Sequence, residues 1–550
     1  MVIAKKPGTL ARLMDRGLAQ QWKLPKDRSD VRVEKGHVVV TRDGARLITD
    51  HYLPVEERNR GTILVRTPYG RGMPIGSEAR LFASLGYHVV VQSTRGTFGS
   101  SGELSPMVTA TDTDDAADTV AWLRERPWFD GRLATYGTSY VGATQWAMLV
   151  EPPPELRASI IISAPHNASR FILRDGALLL NDIFTWSRIS LHQEKRTGLL
   201  RGMWIFARAA KLNAPVVAAV PLLPAAEKVL GGGAPWFRDA LAHPDVTDPF
   251  WADRDASASL EKTTTPVCLV CGWQDLMLPQ VLRQYAALHE RGVEVSLTLG
   301  PWTHQEIARG VAGALAEDNL AWLAEHLAGD PPPLKRAPVK IHVTGAGEWR
   351  EYPEWPPPGK ELVTHLQPGG RLDERHTTPG ESSFTYDPAD PTPSRGGPLI
   401  DNSAGVVDNR DLEARPDVLA FTGPPLTEAL EVIGVPVVEL DHSRSNPHAD
   451  LYVRLCDVDA EGRSHNFSEG FLRLDPAETD TVVRLRLDGC AHRLAPGHRL
   501  RLLVAGGAHP RYMRNEGTGA LPGVSAELRP CRHTLHHAGR SRLLLPVSPA

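Results

Sequence analysis

Residues 133–150 read Leu-Ala-Thr-Tyr-Gly-Thr-Ser-Tyr-Val-Gly-Ala-Thr-Gln-Trp-Ala-Met-Leu-Val. The apolar run Leu133–Tyr136 predicts a buried strand, and Ala143–Val150 predicts the body of a helix. Ser139 falls between them, in a turn flanked by glycines. A strand that turns sharply into a helix with serine at the apex is the arrangement called a nucleophile elbow. The pattern therefore predicts that Ser139 lies at the apex of such a turn.

The glycines around Ser139 depart from the usual spacing. Gly137 precedes the serine and Gly142 follows it, which gives G-x-S-x-x-G where the usual elbow has G-x-S-x-G. Glycine tolerates a strained turn and leaves space for an approaching acyl group. A helix starting at Tyr140 directs its N–H groups toward the serine oxygen. Because a serine between glycines is also an ordinary turn, the elbow needs support from residues elsewhere.

The composition is that of a globular protein without marked charge. The chain has 550 residues, with 61 basic and 65 acidic side chains. Because the basic and acidic side chains nearly balance, the sequence gives no indication of a basic surface that binds nucleic acid or an anionic membrane. The length predicts about two to four domains. The N-terminus lacks the apolar segment of a signal peptide, and the most apolar stretch, 214–226, is short and interrupted by prolines. We therefore expect a cytoplasmic protein with no membrane partner.

Three patterns suggest a metal or redox site, and none is specific. Cys268 and Cys271 have the C-x-x-C spacing, but in a predicted strand residues three apart point to opposite faces. Residues 457–462 begin like a calcium loop without the glutamate and helices that an EF-hand requires, so they predict a hairpin turn. His533, His536 and His537 have no carboxylate or cysteine at ligand spacing except Cys531. We expect no metal.

Strands alternate with helices over much of the chain. Residues 31–54 alternate apolar and polar side chains around Asp43-Gly44, which predicts a hairpin. Further strands are predicted at 62–65, 88–92, 133–136, 158–162, 267–271 and 294–299. Helices are predicted at 77–85, 113–124, 280–290 and 319–327. Apolar strands separated by helices favour an α/β fold with a mostly parallel sheet covered on both faces.

Two further regions complete the chain. Residues 166–250 are rich in tryptophan, phenylalanine, leucine and arginine, and predict a helical cap inserted into the sheet domain. After a stiff linker at Pro331–Pro333 come short strands separated by turn residues, typical of an all-β sandwich or jelly roll. Its predicted strands begin with 339–343, and 368–397 is a long surface connection. We assign 1–165 and 251–330 to the α/β domain, 166–250 to the cap and 331–550 to the β-sandwich.

Ser139 has candidate partners in Asp275 and His304. A serine hydroxyl is a poor nucleophile unless a base accepts its proton and a third group orients that base. In α/β-hydrolases the chain order is Ser, then Asp or Glu, then His, each at the C-terminal end of a strand. Asp275 follows the predicted strand 267–271, and His304 follows the strand 294–299. Chain order and strand-end position together favour catalytic roles for these two residues. The alternatives are that Asp275 only caps the following helix and that His304 is a solvated surface histidine.

Two groups are candidates for stabilising an oxyanion beside Ser139. The first is the backbone N–H of Tyr140, the residue after the serine. The second donor usually comes from the loop after an early strand, and here that loop contains Tyr69, whose hydroxyl is a suitable donor. Spacing alone does not distinguish this role of Tyr69 from simple packing.

Five sequence blocks carry a family resemblance. They are Arg66–Tyr69, Arg95–Glu103, Gly137–Gly142, Gly272–Asp275 and Gly300–His304. In this order they resemble the cocaine esterase-like (CocE/NonD) serine hydrolases, a group that includes α-amino acid ester hydrolases, glutaryl-cephalosporin acylases and serine-type X-Pro dipeptidyl-peptidases. The resemblance extends through Gly347–Arg350 and Tyr386–Pro391, and runs from about residue 35 to the C-terminus.

The resemblance implies an α/β-hydrolase domain with an inserted helical cap, followed by a C-terminal jelly roll. It implies Ser139 as nucleophile, His304 as base and Asp275 as the orienting acid. Tyr69 and the Tyr140 N–H would form the oxyanion hole. The family is similar in having G-x-S-Y-x-G, which accounts for the late glycine.

The substrate pocket is less determined by sequence. Trp186 in the cap is a candidate, as are Trp273, Gln274 and Leu276 around the predicted triad aspartate. Members of the family often have Tyr before this aspartate and Gly-Phe after it. Gln274 and Leu276-Met277 stand in those places here, so the acyl specificity stays open.

The sequence thus predicts a serine hydrolase that cleaves ester or amide bonds of small substrates through an acyl-enzyme intermediate, without cofactor or metal. The sequence is also compatible with a homo-oligomer.

One alternative is an Xaa-Pro dipeptidyl-peptidase, which needs a carboxylate in the cap to hold the substrate's α-amino group, with Asp182 and Glu194 as candidates. Another is a non-catalytic binding module based on the jelly roll.

Overall fold

The computed structural model describes residues 3–5, 9–26, 28–56, 59–105, 109–195, 198–309, 312–331, 337–375 and 379–548. Pro332 and Pro333 of the predicted linker lie outside these ranges.

A mostly parallel sheet forms the centre of the N-terminal half, and within the described ranges it has eleven strands. In spatial order they are Ile3–Lys5, Val31–Val40, Arg46–Pro54, His88–Ser93, Thr62–Thr67, Leu133–Thr138, Leu156–Ile162, Val267–Gln274, Val295–Thr303, Val339–Val343 and Glu348–Tyr352. Pairing is parallel from His88–Ser93 to Val339–Val343 and antiparallel at both ends. The predicted hairpin at 31–54 is confirmed, with Val40 opposite Arg46.

Helices cover the two faces of this sheet. They are Thr9–Gln21, Ile75–Ser84, Ala110–Arg124, Tyr140–Val150, Ala258–Lys262, Leu278–Glu290, His304–Arg309 and Ala312–Leu323, the last continuing as the π-helical turn Ala324–Ala328. Alternate strand residues enter different apolar clusters: Ile63 packs on one face and Leu64 on the other. Cys268 and Cys271 are likewise divided between the two faces, as their spacing predicts. Two buried faces confirm the α/β fold.

The segment between strands Leu156–Ile162 and Val267–Gln274 is largely helical, as expected for a cap. Its helices are Ala168–Ile172, Leu180–Ser190, Gly198–Val217, Leu222–Leu230 and Pro235–Ala242, with a small hairpin Leu173–Arg174/Ala177–Leu178 and the 3₁₀ turn Pro249–Arg254. Across the part of the chain that the structure describes, none of the helices combines the length and apolar character needed to cross a bilayer.

The C-terminal region is a β-structure with one short helix, Arg410–Glu413, among its described residues. Its strands are Lys360–Gln367, Arg371–Asp373, Glu381–Tyr386, Val418–Thr422, Leu430–Gly434, Val437–Arg444, Asp450–Val458, Ser464–Arg473, Val482–Arg486, Cys490–Leu494, Arg499–Ala505, Cys531–His536 and Arg542–Val547. Inward-facing residues such as Leu451, Val453 and Leu502 form a third apolar cluster. The turn at 459–463 joins two antiparallel strands, as predicted.

Two assignments made from the sequence need correction. Val339–Val343 extends the parallel sheet beside Val295–Thr303, because three of its side chains alternate into the buried face of that sheet. The segment 368–397 contains the strands Arg371–Asp373 and Glu381–Tyr386. The second strand is concealed in the sequence because its outward residues are polar while Phe384 and Tyr386 point inward.

Helix Tyr140–Val150 packs tightly against the end of the strand Leu156–Ile162. Residues 140–149 of this helix are buried, which leaves little room for adjustment. A Cβ atom placed on Gly142 would lie 2.5 Å from the Cβ of Ala164 and 3.1 Å from the carbonyl oxygen of Gly137. Gly142 is therefore required by close packing, which explains why the second glycine follows the serine by three residues.

Replacing Gly142 by alanine should lower stability by about 1–3 kcal/mol, as overpacking in a rigid core does, despite the better helix propensity of alanine. Thermal unfolding monitored by circular dichroism would measure this as a lower midpoint. The double variant Gly142→Ala/Ala164→Gly removes the opposing methyl group and should recover part of the loss. An unchanged or higher midpoint for the single variant would contradict the packing argument.

Candidate active site

Ser139 occupies a strained turn between strand Leu133–Thr138 and helix Tyr140–Val150. Its backbone has φ 61° and ψ −126°, a conformation that costs a non-glycine residue about 1–3 kcal/mol. The Ser139 N–H donates to the carbonyl of Ile162 at 2.9 Å, and its own carbonyl accepts from Gly142 and Ala143 at 2.9 Å. These bonds hold the turn, so the hydroxyl is fixed at the C-terminal edge of the sheet.

Ser139, His304 and Asp275 form a continuous hydrogen-bonded line. His304 Nε2 lies 3.1 Å from Ser139 Oγ, and His304 Nδ1 lies 3.0 and 3.2 Å from the two carboxylate oxygens of Asp275. Asp275 and His304 are 1% and 4% exposed. Since Nδ1 faces a carboxylate, it carries the proton, and Nε2 is then free to accept one from the serine.

Asp275 is itself held in place by the backbone. It lies in the turn between strand Val267–Gln274 and helix Leu278–Glu290, and its Oδ1 accepts the N–H of Met277 at 2.7 Å. A carboxylate fixed by a backbone donor presents its remaining lone pairs in one direction, toward the imidazole of His304.

Opposing effects act on the basicity of His304. Burial disfavours the imidazolium and lowers the pKa, but the charge and hydrogen bond of Asp275, with a further contribution from the charge of Asp182, raise it more. The net result is that the pKa of His304 lies above its usual value. The ring is thereby a stronger proton acceptor for Ser139.

Tyr69 lies beside Ser139, with its hydroxyl available as a donor. The indole Nε1 of Trp186 donates to the Tyr69 oxygen at 3.3 Å. Burial raises the pKa of Tyr69 despite the opposing effect of its hydrogen bonds with Trp186 and Ser139. The phenol therefore keeps its proton, and because its oxygen accepts from Trp186, that proton can be directed at an oxyanion.

Tyr140 contributes its backbone to the site and its side chain to the surroundings. As the first residue of helix Tyr140–Val150 its N–H has no carbonyl one turn earlier in the helix to bond. Its hydroxyl donates to the carbonyl of Ser105 at 2.7 Å, and its ring stacks on Trp186 with centroids 6.2 Å apart. Trp186 thus contacts the Tyr69 hydroxyl and the side chain of Tyr140.

A cavity of about 690 Å³ opens onto Ser139 and His304. Its wall is mainly aliphatic and aromatic, with side chains from the sheet domain, the cap and the C-terminal region: Val65, Phe98, Val141, Ile162, Trp186, Ile189, Phe206, Ile307, Leu315 and Ile400. A space of this size and character accommodates a small apolar molecule.

Of the four predicted pocket residues, Trp186 lines the cavity and the other three lie elsewhere. Trp273 is buried, donates to the carbonyl of His342 at 2.7 Å and packs against Trp355. The Gln274 side chain accepts from Asn466 at 3.4 Å. Leu276 is 1% exposed in the apolar core. The three side chains therefore contact the core or the C-terminal region instead of the cavity.

The two carboxylates expected to hold an α-amino group also lie away from the cavity wall. Asp182 is buried and accepts the Ile400 N–H at 2.9 Å and the Asn181 side chain at 3.3 Å. Burial raises its pKa to about 7. Glu194 is exposed on the cap. Asp182 therefore fastens the cap to the segment around Ile400.

Sequence reasoning missed several parts of the cavity wall. Leu18 and Gln21 come from the N-terminal helix, Glu78 from helix Ile75–Ser84, and Ile400 from the C-terminal region. None belongs to a motif around the serine, aspartate or histidine, and their positions follow from tertiary packing alone.

Comparison with known proteins agrees with this architecture. Residues 43–306 match the family described as X-Pro dipeptidyl-peptidase (S15 family). Residues 334–544 match the X-Pro dipeptidyl-peptidase C-terminal non-catalytic domain.

Individual relatives cover nearly the whole chain. The cocaine esterase of Rhodococcus sp. is 30% identical over 537 residues, which cover 88% of this chain and 92% of that protein. An α-amino acid ester hydrolase structure has a TM-score of 0.79 at 22% identity, covering 96% of this chain and 98% of the other. A CocE/NonD family hydrolase from Staphylococcus aureus has a TM-score of 0.69 at 16% identity, with 94% of each chain covered. The chain belongs to the cocaine esterase-like (CocE/NonD) family of serine hydrolases.

Proposed function

We propose that this serine hydrolase cleaves carboxylic ester and amide bonds of small apolar substrates with Ser139, His304 and Asp275 as its catalytic triad. The observation that carries the proposal is the 3.1 Å approach of His304 Nε2 to Ser139 Oγ, with Nδ1 held by Asp275 at 3.0 Å. A binding module would have no need for a strained serine aligned with a histidine and a buried carboxylate.

The reaction follows from these positions. His304 accepts the proton of Ser139 as the oxygen attacks the substrate carbonyl, and Asp275 stabilises the imidazolium that forms. The developing oxyanion accepts hydrogen bonds from the Tyr69 hydroxyl and the Tyr140 N–H. His304 then gives its proton to the leaving group, and water attacks the acyl-enzyme by the reverse sequence. Besides the substrate and one water molecule, these steps use side chains and backbone groups of this chain.

The peptidase alternative has weaker support. Removal of an Xaa-Pro dipeptide needs an anion at a fixed distance from the scissile bond to hold the α-amino group. Asp182 is engaged with Ile400, and Glu194 is exposed outside the cavity. We expect an aryl ester such as p-nitrophenyl butyrate to be turned over faster than an Ala-Pro p-nitroanilide; the reverse order would favour the peptidase.

Ser139→Ala should abolish both covalent labelling by a fluorophosphonate and hydrolysis of p-nitrophenyl butyrate, since the variant lacks the attacking oxygen. Gel fluorescence and release of p-nitrophenol measure the two effects. Ser163→Ala is a matched control, because Ser163 is a buried serine that contacts Cys271. Labelling that persists in Ser139→Ala would place the nucleophile elsewhere.

Asp275→Asn should reduce kcat by roughly 10³–10⁴, as loss of the orienting carboxylate does in other triads. The pH profile gives an independent readout. His304 must be neutral to act, so kcat/KM falls as the pH drops through its raised pKa, above the usual value of about 6.5. Removing the charge at 275 should move this limb to lower pH. An acid limb of kcat/KM that lies at the same pH in Asp275→Asn and wild type would contradict the electrostatic coupling between Asp275 and His304.

Tyr69→Phe should lower kcat by roughly 10²–10³ with little change in KM, because the lost hydrogen bond forms in the transition state. Steady-state kinetics with p-nitrophenyl butyrate separate the two constants. Tyr52→Phe serves as control, since its hydroxyl bonds the carbonyl of Arg71 instead of facing the serine. Equal kcat values for wild type and Tyr69→Phe would contradict the role of the Tyr69 hydroxyl as an oxyanion donor beside the Tyr140 N–H.

A further inference from the structure

We propose that one face of the cap helix Gly198–Val217 docks on an anionic lipid surface, with the opening of the cavity turned toward that surface. This cap face is formed by the apolar side chains of Leu200, Met203 and Trp204 and by the cations Arg201, Arg208 and Lys211. The contact is peripheral, because none of the described helices could cross a bilayer. It is an interaction beyond the proposed hydrolysis.

The apolar part of the cap face points away from the core. Leu200, Met203 and Trp204 are 72%, 61% and 46% exposed. Met203 and Trp204 follow Leu200 by three and four residues, so the three side chains form one stripe on the helix. The other side of the helix packs on the cap helices Leu180–Ser190 and Leu222–Leu230. Exposed apolar side chains grouped in this way are typical of an interaction surface.

The cations of the cap face have no acidic partner in the part of the chain that the structure describes. Arg201, Arg208 and Lys211 are exposed, and the sequence from 195 to 226 contains neither aspartate nor glutamate. The guanidinium of Arg208 lies 5.9 Å from the ring centroid of Trp204. The helix therefore combines an exposed apolar stripe with positive charge that no carboxylate neutralises.

A neighbouring histidine senses this positive charge. The pKa of His192 is lowered first by burial and then by the charges of Arg201, Lys195 and Arg188. The acid nearest in sequence, Glu194, precedes the helix and is exposed. This side of the cap is therefore suited to a partner with negative charge.

The cap face borders the opening of the substrate cavity. Met203 lines the cavity and is largely exposed, and Met73 on the opposite wall is 38% exposed. Side chains that belong to the wall and also contact solvent lie at the opening. Phe206, on the same helix as Met203, lines the cavity further in. The apolar stripe is thus continuous with the apolar wall that leads to Ser139.

A bilayer with anionic headgroups fits both parts of the cap face. Basic side chains approach the phosphates, while aromatic and aliphatic side chains enter the boundary between headgroups and acyl chains. A second copy of the chain fits less well, because a two-fold contact would oppose the same cations. The near balance of charge over the whole chain, from which we expected no membrane partner, does not report this local cluster.

The test is flotation with vesicles of phosphatidylglycerol and phosphatidylcholine in equal parts, compared with vesicles of phosphatidylcholine alone. The wild-type partition coefficient should be at least about ten-fold higher for the anionic vesicles and should fall as salt is added. Arg201→Gln/Arg208→Gln should lower it roughly ten- to thirty-fold, since each basic side chain contributes roughly five-fold. Trp204→Ala should lower it at least about five-fold.

Matched variants elsewhere on the surface control for charge and exposure. Arg484→Gln/Arg529→Gln changes the net charge equally, at exposed arginines that pair with Glu439 and Glu527. Leu521→Ala shortens an apolar side chain that is 52% exposed in the C-terminal region. Both variants should float as the wild type does.

The outcomes distinguish the occupants of the cap face. Wild type that does not float with anionic vesicles, floats equally with neutral ones, or loses binding equally in the control variants overturns the proposal. A dimer in light scattering that Trp204→Ala dissociates, without vesicle binding, assigns the cap face to a second copy instead. Leu200→Ser replaces Trp204→Ala if that variant does not fold. Ser139→Ala should float as the wild type does, so flotation tests the contact independently of the proposed hydrolysis.

Discussion

The strained backbone at Ser139 fixes where the candidate nucleophile lies. At φ 61° the serine is held against its conformational preference, and the buried helix Tyr140–Val150 and the end of strand Leu156–Ile162 keep it there. The absence of a side chain at Gly142 permits this packing. The strained turn projects the hydroxyl from the sheet edge and begins the helix at Tyr140, whose N–H is the candidate oxyanion donor.

Sheet topology then brings the other groups to the serine. Strands Leu133–Thr138, Val267–Gln274 and Val295–Thr303 run parallel, so their C-terminal ends meet at one edge. Asp275 and His304 follow two of these ends directly. The cap adds Trp186, which bonds Tyr69 and stacks on Tyr140. One tryptophan therefore links the cap to the Tyr69 hydroxyl and to the side chain of Tyr140, the two residues that carry the candidate oxyanion donors.

The sequence predicts those parts of the site that depend on local pattern. The alternation of strands and helices indicates the α/β fold, and serine, aspartate and histidine are recognisable because each follows a predicted strand. The cavity wall is different, since Glu78 and Ile400 reach it through packing between distant segments. Trp273, Gln274 and Leu276 show a second limit. Their nearness to Asp275 in the sequence does not bring them to the cavity, because they contact His342, Asn466 and the apolar core. The position of Val339–Val343 in the parallel sheet was not predicted either, because its alternation of buried and partly exposed residues fits a strand of a β-sandwich equally well.

The most direct measurement of the central claim is a crystal structure of the enzyme after reaction with a fluorophosphonate. The phosphonyl group mimics the tetrahedral intermediate, and its oxygen reports where negative charge is stabilised. We expect phosphorus bonded to Ser139 Oγ, with the phosphonyl oxygen about 2.7–3.1 Å from both the Tyr69 hydroxyl and the Tyr140 nitrogen. A phosphonyl oxygen directed to solvent, or phosphorus bonded to another residue, would contradict it.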